Sequence, residues 1–196
     1  MQSVKVGILG LGTVGGGTVN VLRRNINEIT RRAGRDIEIT RAADRDLDSP
    51  KICNTDGIAL TTDALDIVND PNIQIVVELI GGTGIARELV LTAIANGKHV
   101  VTANKALIAM HGNELFARAQ EMGVTIAFEA AVAGGIPIIK AMREGLAANR
   151  IEWLAGIING TGNFILTEMR DKSRDFADVL KEAQRSAGGE EAAESI

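Results

Sequence analysis

The stretch Val4–Gly17, VKVGILGLGTVGGG, decides the fold. Val4 to Leu9 is a short, almost wholly apolar run of β type, and from Val14 to Arg32 the apolar residues recur with helical spacing. Between them Gly10, Gly12 and Gly15 fit G-x-G-x-x-G. Glycines at this spacing are common by chance; a strand before them and a helix after them give them meaning. The first then permits a tight turn, the second lets a pyrophosphate approach the backbone, and the third lets helix and strand pack closely. Free N–H groups around Thr13 and Val14, at the positive end of the helix dipole, face the anion. Gly16 and Gly17 have no such role beyond close packing, and each should cost roughly 1 kcal/mol in a helix relative to Ala.

Working outward, the pattern repeats. Further strands are expected at Ile37–Ala43, Ile73–Leu79, His99–Thr102 and Val124–Phe128, with helices at Asp63–Asn69, Ala86–Asn96 and Asn113–Glu121. Strands as apolar as VVELI are expected when helices cover both faces of a parallel sheet. The repeated βα units therefore predict an α/β fold, a Rossmann-type doubly wound parallel sheet. Gly34, Gly97 and Gly123 each close a helix and precede a strand. After Phe128 the texture changes. EAAVAGGIP is small and glycine-rich, Pro137 opens a helix expected through Arg143 to Ala148, and IEWLAGIIN reads as a long strand. Helices near Phe164–Arg170 and Phe176–Ser186 follow. The expected organisation is a nucleotide-binding domain over 1–130 and a partial α+β substrate and dimerisation domain over 131–196.

Composition bounds the partners. Of 196 residues 45% are hydrophobic, and 21 Lys and Arg against 25 Asp and Glu leave a net charge of -4 with no basic stripe. Nucleic acid is not expected as a partner. No apolar run approaches the roughly 20 residues that span a bilayer, and the N-terminus lacks the pattern of a signal peptide. A single cysteine, Cys53, cannot make an internal disulfide, which suits a reducing cytoplasm.

Two further places carry chemistry. At the end of the second strand, where a dinucleotide fold expects an acid for the ribose 2′-hydroxyl or an arginine for a 2′-phosphate, AADRD places Asp44 beside Arg45. Asp44 argues for NAD and Arg45 for NADP; dual use stays open, as does Arg45 as an ordinary solvated charge. IVVELIGGTG sets Glu78, Gly81 and Gly82 at the carboxyl end of a central strand, the edge where open α/β sheets bind ligands. HVVTANKALIA ends the next strand at the same edge, so Lys105 is expected in the first turn of a helix beside the cofactor crevice. The helix dipole opposes a charge there and, with burial, would lower its pKa toward a range useful for proton transfer. A snorkelling surface lysine is the plainer alternative.

Taken in order, GILGLGTVGGG, VVELIGG, KHVVTANKALIA, EAAVAGGIPIIKAMREGLAANRI and GIINGTGNFILTEM resemble the homoserine dehydrogenase family over about Val4 to Arg185. The resemblance implies NAD(P)-dependent interconversion of L-homoserine and L-aspartate 4-semialdehyde, in the branch leading to threonine, methionine and isoleucine. It implies that Lys105 lies next to nicotinamide and substrate. It implies that Glu129, with the carbonyls of Val132, Gly134 and Ile136, holds a monovalent cation, usually sodium. It places Asn159, Gly160 and Thr161 in the substrate pocket, and a homodimer formed through the second domain. The family's substrate-binding glutamate falls by counting at Glu190, although SAGGEEAAESI does not match its surroundings. A later aspartate and second lysine of the family pattern have no counterpart in these 196 residues. The expectation for this chain is nucleotide binding with incomplete catalysis, the alternative being a catalytically silent dinucleotide-binding module.

Overall fold

The computed structural model describes residues 3–156 and 160–186. Six strands pair in one sheet: β1 (Val4–Leu9), β2 (Ile37–Ala43), β3 (Ala59–Thr61), β4 (Ile75–Glu78), β5 (His99–Thr102) and β6 (Ile126–Ala127). Their order is β3-β2-β1-β4-β5-β6 and every pairing is parallel. Because side chains alternate along a strand, the apolar runs feed two cores, one on each face. Val6, Ile8 and Val77 join Val19 of the first helix, Cys53 and Ile58 on one face. Leu9, Val76 and Val100 join Ile67, Leu89, Ile94, Leu107 and Leu115 on the other. This is the doubly wound α/β arrangement expected from the alternating elements.

The helices are α1 (Thr13–Arg24), α2 (Ile26–Ala33), α3 (Leu65–Val68), α4 (Gly84–Ala95) and α5 (Lys105–Glu121). Two helices and one strand depart from expectation. The single helix expected from Val14 to Arg32 breaks at Asn25, which leaves helical geometry (φ -108, ψ 18) while its N–H still caps Val21. Asn competes for backbone hydrogen bonds and is a weak helix former, so a break there is inexpensive. The helix expected from Asn113 begins already at Lys105 because Asn104 caps it: Oδ1 accepts the Leu107 N–H at 3.0 Å. The edge strand β3 had no separate sequence signal; it pairs with β2 over only three residues.

After β6 the chain makes a 3-10 turn (Glu129–Ala131), a three-residue helix α6 (Ile138–Lys140) and a π-helical turn (Ala141–Gly145). The helix expected through Arg143 to Ala148 is thus earlier and shorter, with Pro137 at its N-cap. The chain separates into two compact units, Met1–Gly145 and Leu146–Ile196. In the second unit the expected strand is absent: Ile151–Gly156 has no regular structure. A strand exists only where it pairs with a second one, and residues 151–156 pair with none among the described residues; Trp153 and Leu154 are 80% and 69% exposed. Residues 157–159 lie outside the described residues. Helices α7 (Gly160–Lys172) and α8 (Phe176–Ser186) pack through Ile165, Val179 and Ala183. Arg174 fastens the turn between them by pairing with Glu168 at 3.0 Å and Glu182 at 2.7 Å.

Candidate active site at the carboxyl edge of the sheet

The loops after β1, β4 and β5 meet at one edge of the first unit. Gly10 turns the chain out of β1 with φ +96, and a Cβ there would lie 2.9 Å from the Leu79 carbonyl of the neighbouring loop. A Cβ on Gly15 would lie 1.9 Å from the Gly10 carbonyl, so only glycine lets α1 start this close to the strand. Around Gly12, by contrast, a Cβ would meet nothing within 4 Å. That open space is where a ligand backed by the loop would sit. Gly16 also finds a reason: a Cβ there would press on Ile52 Cγ1 at 2.5 Å. Nothing in the structure explains Gly17.

Charge at this edge favours an anion. The N-terminus of α1 has no side-chain cap and no acidic residue in its first turn, and Thr13 and Val14 are exposed. The first turns of α4 and α5 likewise lack acidic residues. Three helix N-termini with their partial positive charges therefore open on the same edge. Lys105 adds a full one. It is exposed, and its ammonium makes no hydrogen bond or ion pair among the described residues. The burial anticipated for it is not found, because the first residue of a capped helix projects beyond the packed layer.

Asp44 stands at the end of β2 and braces the glycine loop: Oδ2 accepts the Leu11 N–H at 2.7 Å and Oδ1 the Asp46 N–H at 3.1 Å. Lys51 lies 3.5 Å from Oδ2. Burial pushes the Asp44 carboxyl up, but the N–H groups of Asp46 and Leu11 and the Lys51 ammonium together hold it below its ordinary value. Arg45 is exposed and unpaired among the described residues. Sequence reading missed Lys51, which lies in an irregular loop with no spacing signal. It also missed the capping role of Asn104, although an Asn just ahead of an apolar periodic run is a helix-start signature.

Gly81 (φ +73) lies in the loop after β4, and its N–H donates to Glu78 Oε1 at 3.2 Å. Glu129 spends both oxygens on the start of α6, accepting from Ile139 N–H and Lys140 N–H at 2.9 Å each. The Ile136 carbonyl accepts the Ile138 N–H at 2.8 Å. A carboxylate has about four lone-pair sites, so Glu129 keeps acceptor capacity. The cation ligands implied by the resemblance, Glu129 with the carbonyls of Val132, Gly134 and Ile136, are all oxygen, the donor type a hard cation takes. Among the described residues, no cluster of His, Cys, Asp and Glu side chains is gathered to hold a metal ion. In the second unit Gly160 and Thr161 open α7. Asn159 and Glu190 lie outside the described residues. No helix among the described residues is long and apolar enough to cross a membrane.

Known proteins are similar to this chain in sequence and in fold. A family model described as homoserine dehydrogenase, NAD binding domain, matches residues 10–129, and one described as homoserine dehydrogenase matches residues 137–194. The homoserine dehydrogenase of Pseudomonas aeruginosa is 68% identical over 184 residues, 94% of this chain and 42% of that protein. That of Bacillus subtilis is 42% identical over 184 residues, again 94% of this chain and 42% of that protein. The solved structure of a homoserine dehydrogenase from Thiobacillus denitrificans, 67% identical, superposes with a TM-score of 0.78 over 95% of this chain and 43% of its own. The chain thus spans less than half the length of these relatives. Matched by the family's models on both sides of residue 130 and folded as its solved members are, the chain belongs to the homoserine dehydrogenase family.

Proposed function

We propose that this chain carries the nucleotide site and part of the substrate site of an NAD(P)-dependent oxidoreductase that interconverts L-homoserine and L-aspartate 4-semialdehyde, in the biosynthesis of threonine, methionine and isoleucine. The observation that carries the reading is the open space at Gly12, beneath an uncapped helix terminus, in a chain of this family. The N–H groups of Thr13, Val14 and Gly15 hold the pyrophosphate, with Gly10 and Gly12 clearing its approach. Asp44 accepts the ribose 2′-hydroxyl of NAD, and Arg45, free of other partners among the described residues, takes the 2′-phosphate of NADP, so both nucleotides are accommodated. When bound, the nicotinamide accepts or donates the hydride.

The remaining work falls to the chain. The loop at Gly81 borders the crevice, and the Lys105 ammonium supplies the positive charge and the proton at the substrate oxygen. Asn159, Gly160 and Thr161 orient the substrate, with Glu190 as a further contact. Glu129, Val132, Gly134 and Ile136 hold a monovalent cation, sodium by the resemblance, through oxygen ligands of the hard type. The exposed Trp153 and Leu154 support a homodimer formed through the second unit, and the single, buried Cys53 is consistent with the cytoplasm.

Steady-state oxidation of L-homoserine with NAD or NADP tests the reading. The expected result is measurable nucleotide binding with a residual turnover that depends on nucleotide and substrate together. Measurable nucleotide binding with no turnover would leave a silent dinucleotide-binding module instead.

A further inference from the structure

Glu78 is fully buried at the end of β4 and has no part in the chemistry proposed above. A carboxylate withdrawn from water is unfavourable unless its oxygens are well supplied with donors. Here Oε1 accepts the N–H groups of Ile80 at 3.0 Å and Gly81 at 3.2 Å, and Oε2 accepts the Thr102 hydroxyl at 2.6 Å. The Thr102 oxygen accepts in turn the Asn104 N–H at 3.0 Å. Asn104 then divides its amide: Oδ1 caps α5, while Nδ2 donates to the Gly82 carbonyl at 2.6 Å. Thr102 and Asn104 are buried as well. The bonds therefore leave the loop after β4 at Ile80 and Gly81, cross the ends of β4 and β5, and return to the same loop at Gly82. The next residue after Asn104 is Lys105.

Capping alone does not require this ring. A serine or aspartate at position 104 would satisfy the Leu107 N–H equally well. The bond from Nδ2 to Gly82 contributes nothing to α5; it restrains a loop whose two glycines are both left-handed and intrinsically free to wander. Charge-assisted bonds to buried Glu78 are the stronger kind and suit a fixed geometry.

We propose that Glu78, Thr102 and Asn104 are positioning residues: they lock the Gly81–Gly82 loop to the first turn of α5, where Lys105 stands, and so hold the loop backbone that borders the nucleotide. The proposal rests on the reading of Lys105 as a group beside the cofactor.

The test uses the full chain with Asn104→Ser, which keeps the capping oxygen and removes the donor to Gly82, and Thr102→Val, which removes the hydroxyl at similar volume. Three quantities are read: melting temperature, amide hydrogen exchange at Ile80 and Gly81, and NADPH affinity by fluorescence titration. Asn104→Ser should keep the melting temperature, speed exchange at both amides about tenfold or more and weaken NADPH about tenfold. Thr102→Val should do the same to exchange and affinity, and Thr102→Ser, which returns the hydroxyl, should restore both. Exchange as slow in both variants as in the unaltered chain would overturn the lock. Faster exchange with unchanged NADPH affinity would overturn the positioning role. An unaltered chain that shows slow exchange yet binds no NADPH would refute the nucleotide reading, and the positioning role with it, while leaving the lock in place.

Discussion

Lys105 stands exposed, and unpaired among the described residues, at the first turn of a helix, where the dipole opposes its charge and no acidic side chain in that turn relieves it. Such a group is of little use to stability, which is why its value is expected in the reaction. Lys105→Ala should abolish residual turnover of L-homoserine while leaving NADPH affinity within about tenfold, or roughly 1.4 kcal/mol. An unchanged rate in a steady-state assay would remove Lys105 from the chemistry. Asp44 is the opposite case, a carboxylate that folding favours in its charged form. Its folded pKa lies below the unfolded value of about 3.9, so its contribution is present above that pH and lost as pH falls through the folded pKa. Asp44→Asn should therefore lower stability at neutral pH and make the acid limb of the pH–stability curve shallower. Urea denaturation between neutral and strongly acidic pH measures this, and an acid limb of unaltered steepness would count against the brace.

At the level of elements, α1 shows how much of the fold was legible and where reading stopped. The strand, the glycine turn and the helix start were all readable in VKVGILGLGTVGGG, because apolar period and glycine spacing are local signals. The break at Asn25 was not, since it depends on a competition between helix and cap that a continuous periodic pattern conceals. The strand expected in IEWLAGIIN failed for a related reason: β pairing is a property of two segments, and apolarity in one does not supply the other. Gly16 was opaque in sequence because its cause is Ile52, a residue far along the chain. The same helix provides a graded prediction. Gly17→Ala meets no neighbour and should stabilise the protein by roughly 0.5–1 kcal/mol, whereas Gly15→Ala drives a Cβ into the Gly10 carbonyl and should prevent the loop from forming. Thermal denaturation of both variants checks the pair, and a Gly17→Ala protein less stable than its parent would show that the position has a contact yet to be identified.

At the scale of the molecule, the sheet order and the three converging helix N-termini make one edge of the first unit receptive to an anion. The doubly wound sheet and the glycine loop at its carboxyl edge followed from the sequence, whereas the strand order, the three N-termini together and the ring through Glu78, Thr102 and Asn104 did not, because they depend on positions only the fold defines. The most direct test of the nucleotide site is Gly12→Ala. Its Cβ meets no protein atom within 4 Å, so the fold should be untouched, but it fills the space through which a pyrophosphate must approach the backbone. Fluorescence titration with NADPH should show affinity reduced by about tenfold or more at an unchanged melting temperature. An equally stable Gly12→Ala protein that binds NADPH as tightly as its parent would contradict nucleotide binding at this loop.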